Sequence, residues 1–293
     1  MEKIKNILIA VELDNNSEIV LEYGITLGIM LDATVKCLHI SRPLSSRILY
    51  DNEGIPVEHY GEYVLDDTDS VDEMVEDDLA KLRSMVNNVL QRMEIKDHPI
   101  SVNVVADFAV PGILDQATKS NADLIIVGAH VDFRKKDNAI SNLSKKIIDD
   151  SSQSVIVVPI SYGTRNLDHI CMFISFEFSE LEMIKDMIDI VRWNGLHLTF
   201  VHMLDEDERV IEADAKLNVY RRIFLDFEED PLISFKLVSG EMSNIIDDLS
   251  NDMDVDLIGL TVKKKAWNLF LMESTFEDKI LDHIKVPLFV WKN

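Results

Sequence analysis

Two rhythms of apolar and polar positions run through the first half of the chain. Short continuous apolar runs read as buried strands: Ile7 to Val11, Thr34 to Ile40, Ile100 to Ala106, Leu124 to Val127 closed by Gly128, and Val155 to Val158. Between them the period lengthens to that of a helix. Val20, Tyr23, Leu27, Met30 and Leu31 fall on one helical face, opened by Ser17-Glu18 with Asn15 or Asn16 as the cap. Val71, Val75, Leu79, Leu82, Val86, Val89 and Leu90 make the apolar stripe of a second helix, from Asp69 or Ser70 to about Met93. Pro111 suits the first turn of a short third helix. Strands alternating with helices through short connections predict parallel βαβ units. The exception is Ser41 to Asp69, which carries Pro43, Gly54, Pro56 and Gly61 without a period and reads as a long loop.

The same order then repeats. Ile170 to Ile174, Leu196 to Met203 and Leu232 to Val238 are the expected strands of the second half. Ser179 and Glu182 have capping-box spacing, and Gly195 fits just past the helix they open. A further helix is expected from about Asp207 to Phe227, and a short one near Ser243. The segment ADLIIVGAH to SQSVIVV lines up without a gap on VDLIGLTV to KVPLFVW, Asp123 with Asp256 and Lys146 with Lys279. That register is the mark of a duplicated domain. The expected organisation is a first domain over 1–160, a linker over 161–167 and a second domain over 168–293. The second half lacks most of the long loop.

These residues resemble the universal stress protein family in its tandem two-domain form. ILIAVELDNNSEIVLEYGITLGIMLDATVKCLHI and ADLIIVGAH…SKKIIDDSSQSVIVVPI carry the resemblance in the first half, and HICMFISFEFSELEMIKDMI, LHLTFVHM and VDLIGLTV…VPLFVW in the second. The resemblance implies an α/β fold of two similar domains, each a five-stranded parallel sheet with helices on both faces. It also implies pairing between the domains and a homodimer of the chain. Nucleotide-binding members keep Gly-x-x-Gly, nine residues, then Gly and Ser or Thr after the fourth strand, because glycines let backbone N–H groups approach phosphates. Here those positions are Gly128, Val131, Ser141 and Asn142 in the first half and Thr261, Lys264, Ser274 and Thr275 in the second. The family also places an acid at the end of the first strand, which is Glu12 here and Ser175 in the repeat. The resemblance thus implies a member whose ATP motif has decayed, more completely in the second half.

Charge narrows the partners. Fifty-three acidic residues against twenty-nine basic ones give −24, which repels nucleic acid and anionic membranes and keeps a surface solvated. Nine acids and no base lie between Glu62 and Asp78, read as a solvated loop and first helix turn. Against this background Arg134-Lys135-Lys136 and Lys263-Lys264-Lys265 recur in the loop after the fourth strand of each half. They either hold an anion such as a phosphate compound at the carboxyl ends of the strands or offset local acidity. Glu12 and Asp14 complete the candidate ligand set. His39 and His202 occupy matching strand ends and read as positions of the fold. Phe173, Phe176 and Phe178 read as core or domain interface. The two cysteines, Cys37 and Cys171, sit in apolar runs, as reduced buried thiols do.

No nucleophile elbow, Walker loop or dinucleotide fingerprint is present, no carboxylate pair is evident, and no His or Cys spacing supports a metal. The expectation is a cytoplasmic, non-enzymatic protein without catalytic residues or a bound cofactor. It would act in stress response through an unidentified protein partner or by sensing a small ligand. The alternative is ATP binding by the first half with slow ATPase activity.

Overall fold

The computed structural model describes residues 4–14, 16–41, 68–129, 142–163, 166–204, 207–225, 230–252, 254–262 and 285–292. In the first half, β1 (Asn6–Ala10), α1 (Ser17–Met30), β2 (Thr34–Ser41), α2 (Thr68–Arg92), β3 (Ile100–Ala106), α3 (Ala109–Lys119), β4 (Leu124–Ala129), α4 (Asn142–Asp150) and β5 (Ser154–Pro159) follow one another. The second half runs β6 (His169–Phe173), α5 (Leu181–Asn194), β7 (His197–Met203), α6 (Val210–Leu225), β8 (Ile233–Val238), α7 (Met242–Asp252), β9 (Leu257–Val262) and β10 (Leu288–Lys292). A ten-stranded sheet takes the order β3-β2-β1-β4-β5-β10-β9-β6-β7-β8. Each set of five is parallel, and β5 meets β10 antiparallel through Val157–Leu288, Ile156–Phe289 and Val155–Val290.

The duplication extends to strand register. Asn6 pairs with Thr34 and Ile7 with Leu124; 163 and 133 residues on, His169 pairs with His197 and Ile170 with Leu257. The offset changes between β7 and β8, where the second half drops residues, and the sheet is unaltered. One anchoring device is also copied. The Asp123 carboxylate accepts the N–H groups of Lys5 and Asn6 at 2.8 and 2.9 Å, and Asp256 accepts those of Asp168 and His169 at 3.0 Å each. A carboxylate on two backbone donors fixes the entry of β1 against β4, and of β6 against β9.

β4 and β5 are buried at every position, as strands covered on both faces must be. Burial pushes the Cys37 and Cys171 thiols up to about 12, so both stay protonated in the core. Arg92, in the last turn of α2, reaches Glu18 and Glu22 of α1 at 2.8 and 2.7 Å and clips the two helices together.

Three local readings are corrected. The Asn16 side chain makes no cap bond to α1, and Asn15 lies outside the described residues; Asp14 accepts the Ser17 N–H at 3.0 Å and hydroxyl at 2.7 Å. The capping box of the second half lies two residues earlier than the Ser179–Glu182 spacing predicts, on Glu177 and Glu180, around a 3₁₀ turn at Phe178–Glu180. Gly195 does end α5, in the left-handed region at φ 69°. Phe173 belongs to the core, but Phe178 is 91% exposed and packs in neither core nor interface. Within the acidic run, Asp72, Glu73, Glu76 and Asp77 face solvent while Asp78 turns inward.

Candidate functional site

At the carboxyl ends of β1, β2 and β4 the first half encloses a cavity of about 480 Å³. Open α/β sheets bind ligands at this place, where strand order reverses between β1 and β4. The β1–α1 loop supplies Glu12 and Asp14; α1 supplies Ser17; β2 supplies His39 and Ser41; α2 supplies Asp78; β4 supplies Gly128. Ser17 also donates to the Glu12 carbonyl, so the loop that carries Glu12 is held at both ends.

Polar side chains organise the cavity wall. His39 donates its Nδ1–H to the Val11 carbonyl at 2.9 Å, which fixes the ring and turns Nε2 toward the Asp78 carboxylate, 3.7 Å away. Ser41 donates to Asp78 at 2.5 Å and Lys81 donates to its other oxygen at 3.1 Å. Burial alone would raise the Asp78 carboxyl. The bonds from Ser41 and Lys81 and the nearby His39 outweigh it and hold the group below the usual carboxylate range. The serine is bonded to the carboxylate directly rather than to the imidazole. The nucleophile–base–orienter chain of acyl-transfer sites is therefore not assembled from these three residues.

Gly128 accepts the buried Ser144 hydroxyl at its carbonyl, 3.0 Å. Among the described residues, a Cβ at Gly128 would have only Val20 within 4 Å, at 3.0 Å, so on that side the backbone is approachable from the cavity. Of the predicted ligand residues, Glu12, Asp14 and Gly128 converge on one cavity. Asn142 opens α4. Arg134, Lys135, Lys136, Ser141, Lys263, Lys264, Lys265, Ser274 and Thr275 lie outside the described residues. Sequence reasoning missed Ser41 and Asp78 as wall residues. Asp78 sits in an acidic run whose neighbours are exposed, and only the contact with β2 distinguishes it. Among the described residues, no group of three or more His, Cys, Asp or Glu is arranged to hold a metal.

The equivalent position of the second half is built differently. His202 repeats His39, donating Nδ1–H to the Ile174 carbonyl at 2.9 Å, and its Nε2 meets Glu208 at 2.8 Å. Phe176 lies over it, ring centroids 4.2 Å apart, with Tyr220 edge-on at 5.1 Å. Phe176 holds φ 59°, an uncommon value for a bulky residue. Glu180, 5% exposed, stands where the first half has Ser17. Its carboxylate accepts the Ser175 N–H at 2.9 and 3.1 Å and the Glu177 N–H at 3.2 Å. Aromatic rings and an internal carboxylate thus occupy the strand ends in the second half.

Fold and cavity together define a tandem pair of Rossmann-like α/β units with a cavity at the carboxyl ends of the first half's strands. The chain belongs to the universal stress protein family, whose sequence model matches residues 3–159. A universal stress protein from Archaeoglobus fulgidus DSM 4304 superposes with a TM-score of 0.66 at 18% identity, covering 99% of this chain and 97% of that one. A functionally unknown protein from Pseudomonas aeruginosa PAO1 superposes with a TM-score of 0.63 at 13% identity, over 99% and 92%. At these identities the likeness is one of fold. No curated protein matches the chain. Among the described residues, no helix is long and apolar enough to cross a membrane.

Proposed function

We propose that this is a non-enzymatic tandem universal stress protein that senses a small polar ligand through its first half, with the second half serving as scaffold and contact surface. Family membership supports the stress-response role. The asymmetry between the halves carries the reading: a 480 Å³ cavity in one, and Phe176 with Glu180 at the matching place in the other. The cavity wall is rich in acceptors, with the carboxylates of Glu12, Asp14 and Asp78. Such a wall favours a ligand that presents hydroxyl and amino donors, as a nucleoside does. Buried, unpaired thiols accord with a cytoplasmic location. Calorimetric titration with adenosine and ATP tests the reading. Saturable binding of one equivalent or less, with no phosphate release above background, supports it; two equivalents would overturn it.

A second reading, ATP binding by the first half with slow hydrolysis, is favoured by the approachable backbone at Gly128. Nucleotide released when the purified protein is denatured, together with phosphate release abolished by Gly128→Val, would select it over the first.

A further inference from the structure

The two halves differ on the outside of one helix. α6 buries Ala213, Leu217 and Tyr220. Its opposite side carries Ile211, Ala215, Val219 and Ile223, each four residues from the last, so they form one continuous ridge. All four are exposed, Ile211 by 83% and Val219 by 52%. The counterpart in the first half, α2, is polar on its outside. It presents Asp72, Glu76, Arg83, Asn87 and Gln91 to solvent, and among its described side chains no exposed apolar one is larger than Ala80. A helix that faced only water would not need the α6 ridge.

Beside the apolar ridge runs a second exposed one, Val210, Asp214, Asn218 and Arg222. Asp214 accepts the Asn218 amide at 3.1 Å. Other cations of the helix bind within the chain: Lys216 meets Glu208 at 2.7 Å, and Arg221 donates to the Phe235 carbonyl of the edge strand β8 at 3.1 Å. Turned end for end, the two ridges complement themselves. A two-fold axis beside Asn218 sets Ile211 of one copy against Ile223 of the other, Ala215 against Val219 and Asp214 beside Arg222. Small then meets large, and acid meets base. The helix carries Lys216, Arg221 and Arg222 against Glu212 and Asp214, so two copies can meet there without the net negative charge of a chain at −24.

We propose that α6 is the contact surface for a second copy of this chain, the two helices packing antiparallel across their apolar ridges about a two-fold axis. This names the partner of the contact surface assigned to the second half, and it holds whether or not the first-half cavity takes a ligand. α6 has 16 residues, a length of about 24 Å. One helix face of that length gives an interface below roughly 1,200 Å². The dimer therefore exchanges with monomer at micromolar concentration.

Sedimentation velocity of the full chain over a concentration series reads the association. A monomer–dimer equilibrium is expected, and Val219→Glu should weaken it at least about tenfold. Asp214→Arg and Arg222→Asp, made singly, set like charges against each other in the dimer and should each weaken it about fivefold. The double swap keeps the net charge and should restore association. All three positions are exposed, so unchanged melting temperatures verify that the variants fold. A chain that stays monomeric at every concentration would overturn the proposal and leave the ridge to a different protein. Association that Val219→Glu leaves undiminished would overturn it too, as would a double swap no better than the single changes.

Discussion

The Phe176 ring lies 4.2 Å from that of His202, at the strand end where His39, its counterpart in the first half, borders an open cavity. Both histidines donate the same nitrogen to the same backbone position, the Val11 and Ile174 carbonyls at 2.9 Å. Duplication has therefore kept the frame of the site in each half. What differs is what stands on the frame.

Phe176 should be held by its ring despite its backbone. Truncation to Ala removes the contacts with His202 and Tyr220 and is expected to lower stability by about 2 kcal/mol, below the range for a fully buried Phe because this one is half-buried. Glycine loses the same ring but accepts φ 59° freely, so Phe176→Gly should be more stable than Phe176→Ala by about 1 kcal/mol. Urea unfolding of the two variants checks the ranking. The reverse order would mean that the loop is not held in this conformation.

Glu180 is expected to act as an internal anion for the β6–α5 loop. Glu180→Gln keeps the shape and one acceptor oxygen but loses the charge on the Ser175 and Glu177 N–H groups; a loss of about 1–2 kcal/mol follows. Glu180→Ala leaves those donors to water and should unfold at lower urea than the glutamine variant. Equal midpoints for all three proteins would remove the role.

Glu208 supplies a pH signature. Hydrogen bonds from Lys216 and His202 bring its carboxyl down from 4.5 to about 2. A group depressed on folding stabilises the protein above its unfolded pKa and loses that contribution as pH falls through the folded one. The window therefore runs from about 4.5 down to about 2. In Glu208→Gln the difference from wild type, about 1–2 kcal/mol at neutral pH, should shrink toward zero across that window. Thermal unfolding at pH 7, 4 and 2.5 measures it, and a difference independent of pH would contradict the assignment.

Gly24 in α1 offers a test of packing against propensity. Alanine at an ordinary helix position stabilises by about 1 kcal/mol. Here its Cβ would come 2.4 Å from Ile9 Cδ1 and 3.3 Å from Ile126 Cδ1. Both are core residues of β1 and β4, so Gly24→Ala is expected to destabilise by about 1–3 kcal/mol. Calorimetric unfolding shows which effect wins.

Much of this structure was legible in the chain. The apolar runs placed the strands to within a residue or two, because strands buried on both faces leave an unbroken hydrophobic signature. The gapless match of Asp123 with Asp256 marked the duplication, and the structure gives both residues one job, the anchor to the first strand of each half. Caps were less legible. Asp14 and Asn16 are both good cap residues, and only the fold of the loop selects Asp14 over Asn16. Likewise Glu177 and Glu180 take the box that Ser179 and Glu182 could have formed by spacing. Part of the cavity lining was legible at Glu12, Asp14 and Gly128, which lie at or just after strand ends. Asp78 was not, since its partners Ser41 and His39 are on a strand far back in the sequence. Nor did any local pattern tell that Phe176 folds back over His202, while Phe178, two residues on, faces solvent.

The central claim, one ligand site per chain and that in the first half, is tested most directly by hydrogen exchange of the full chain with and without millimolar adenosine or ATP. Protection confined to the β1–α1 loop, residues 11–17, and the end of β4 is the predicted result. Protection of residues 174–180 in the second half, or no protection of either half at saturating ligand, would contradict it.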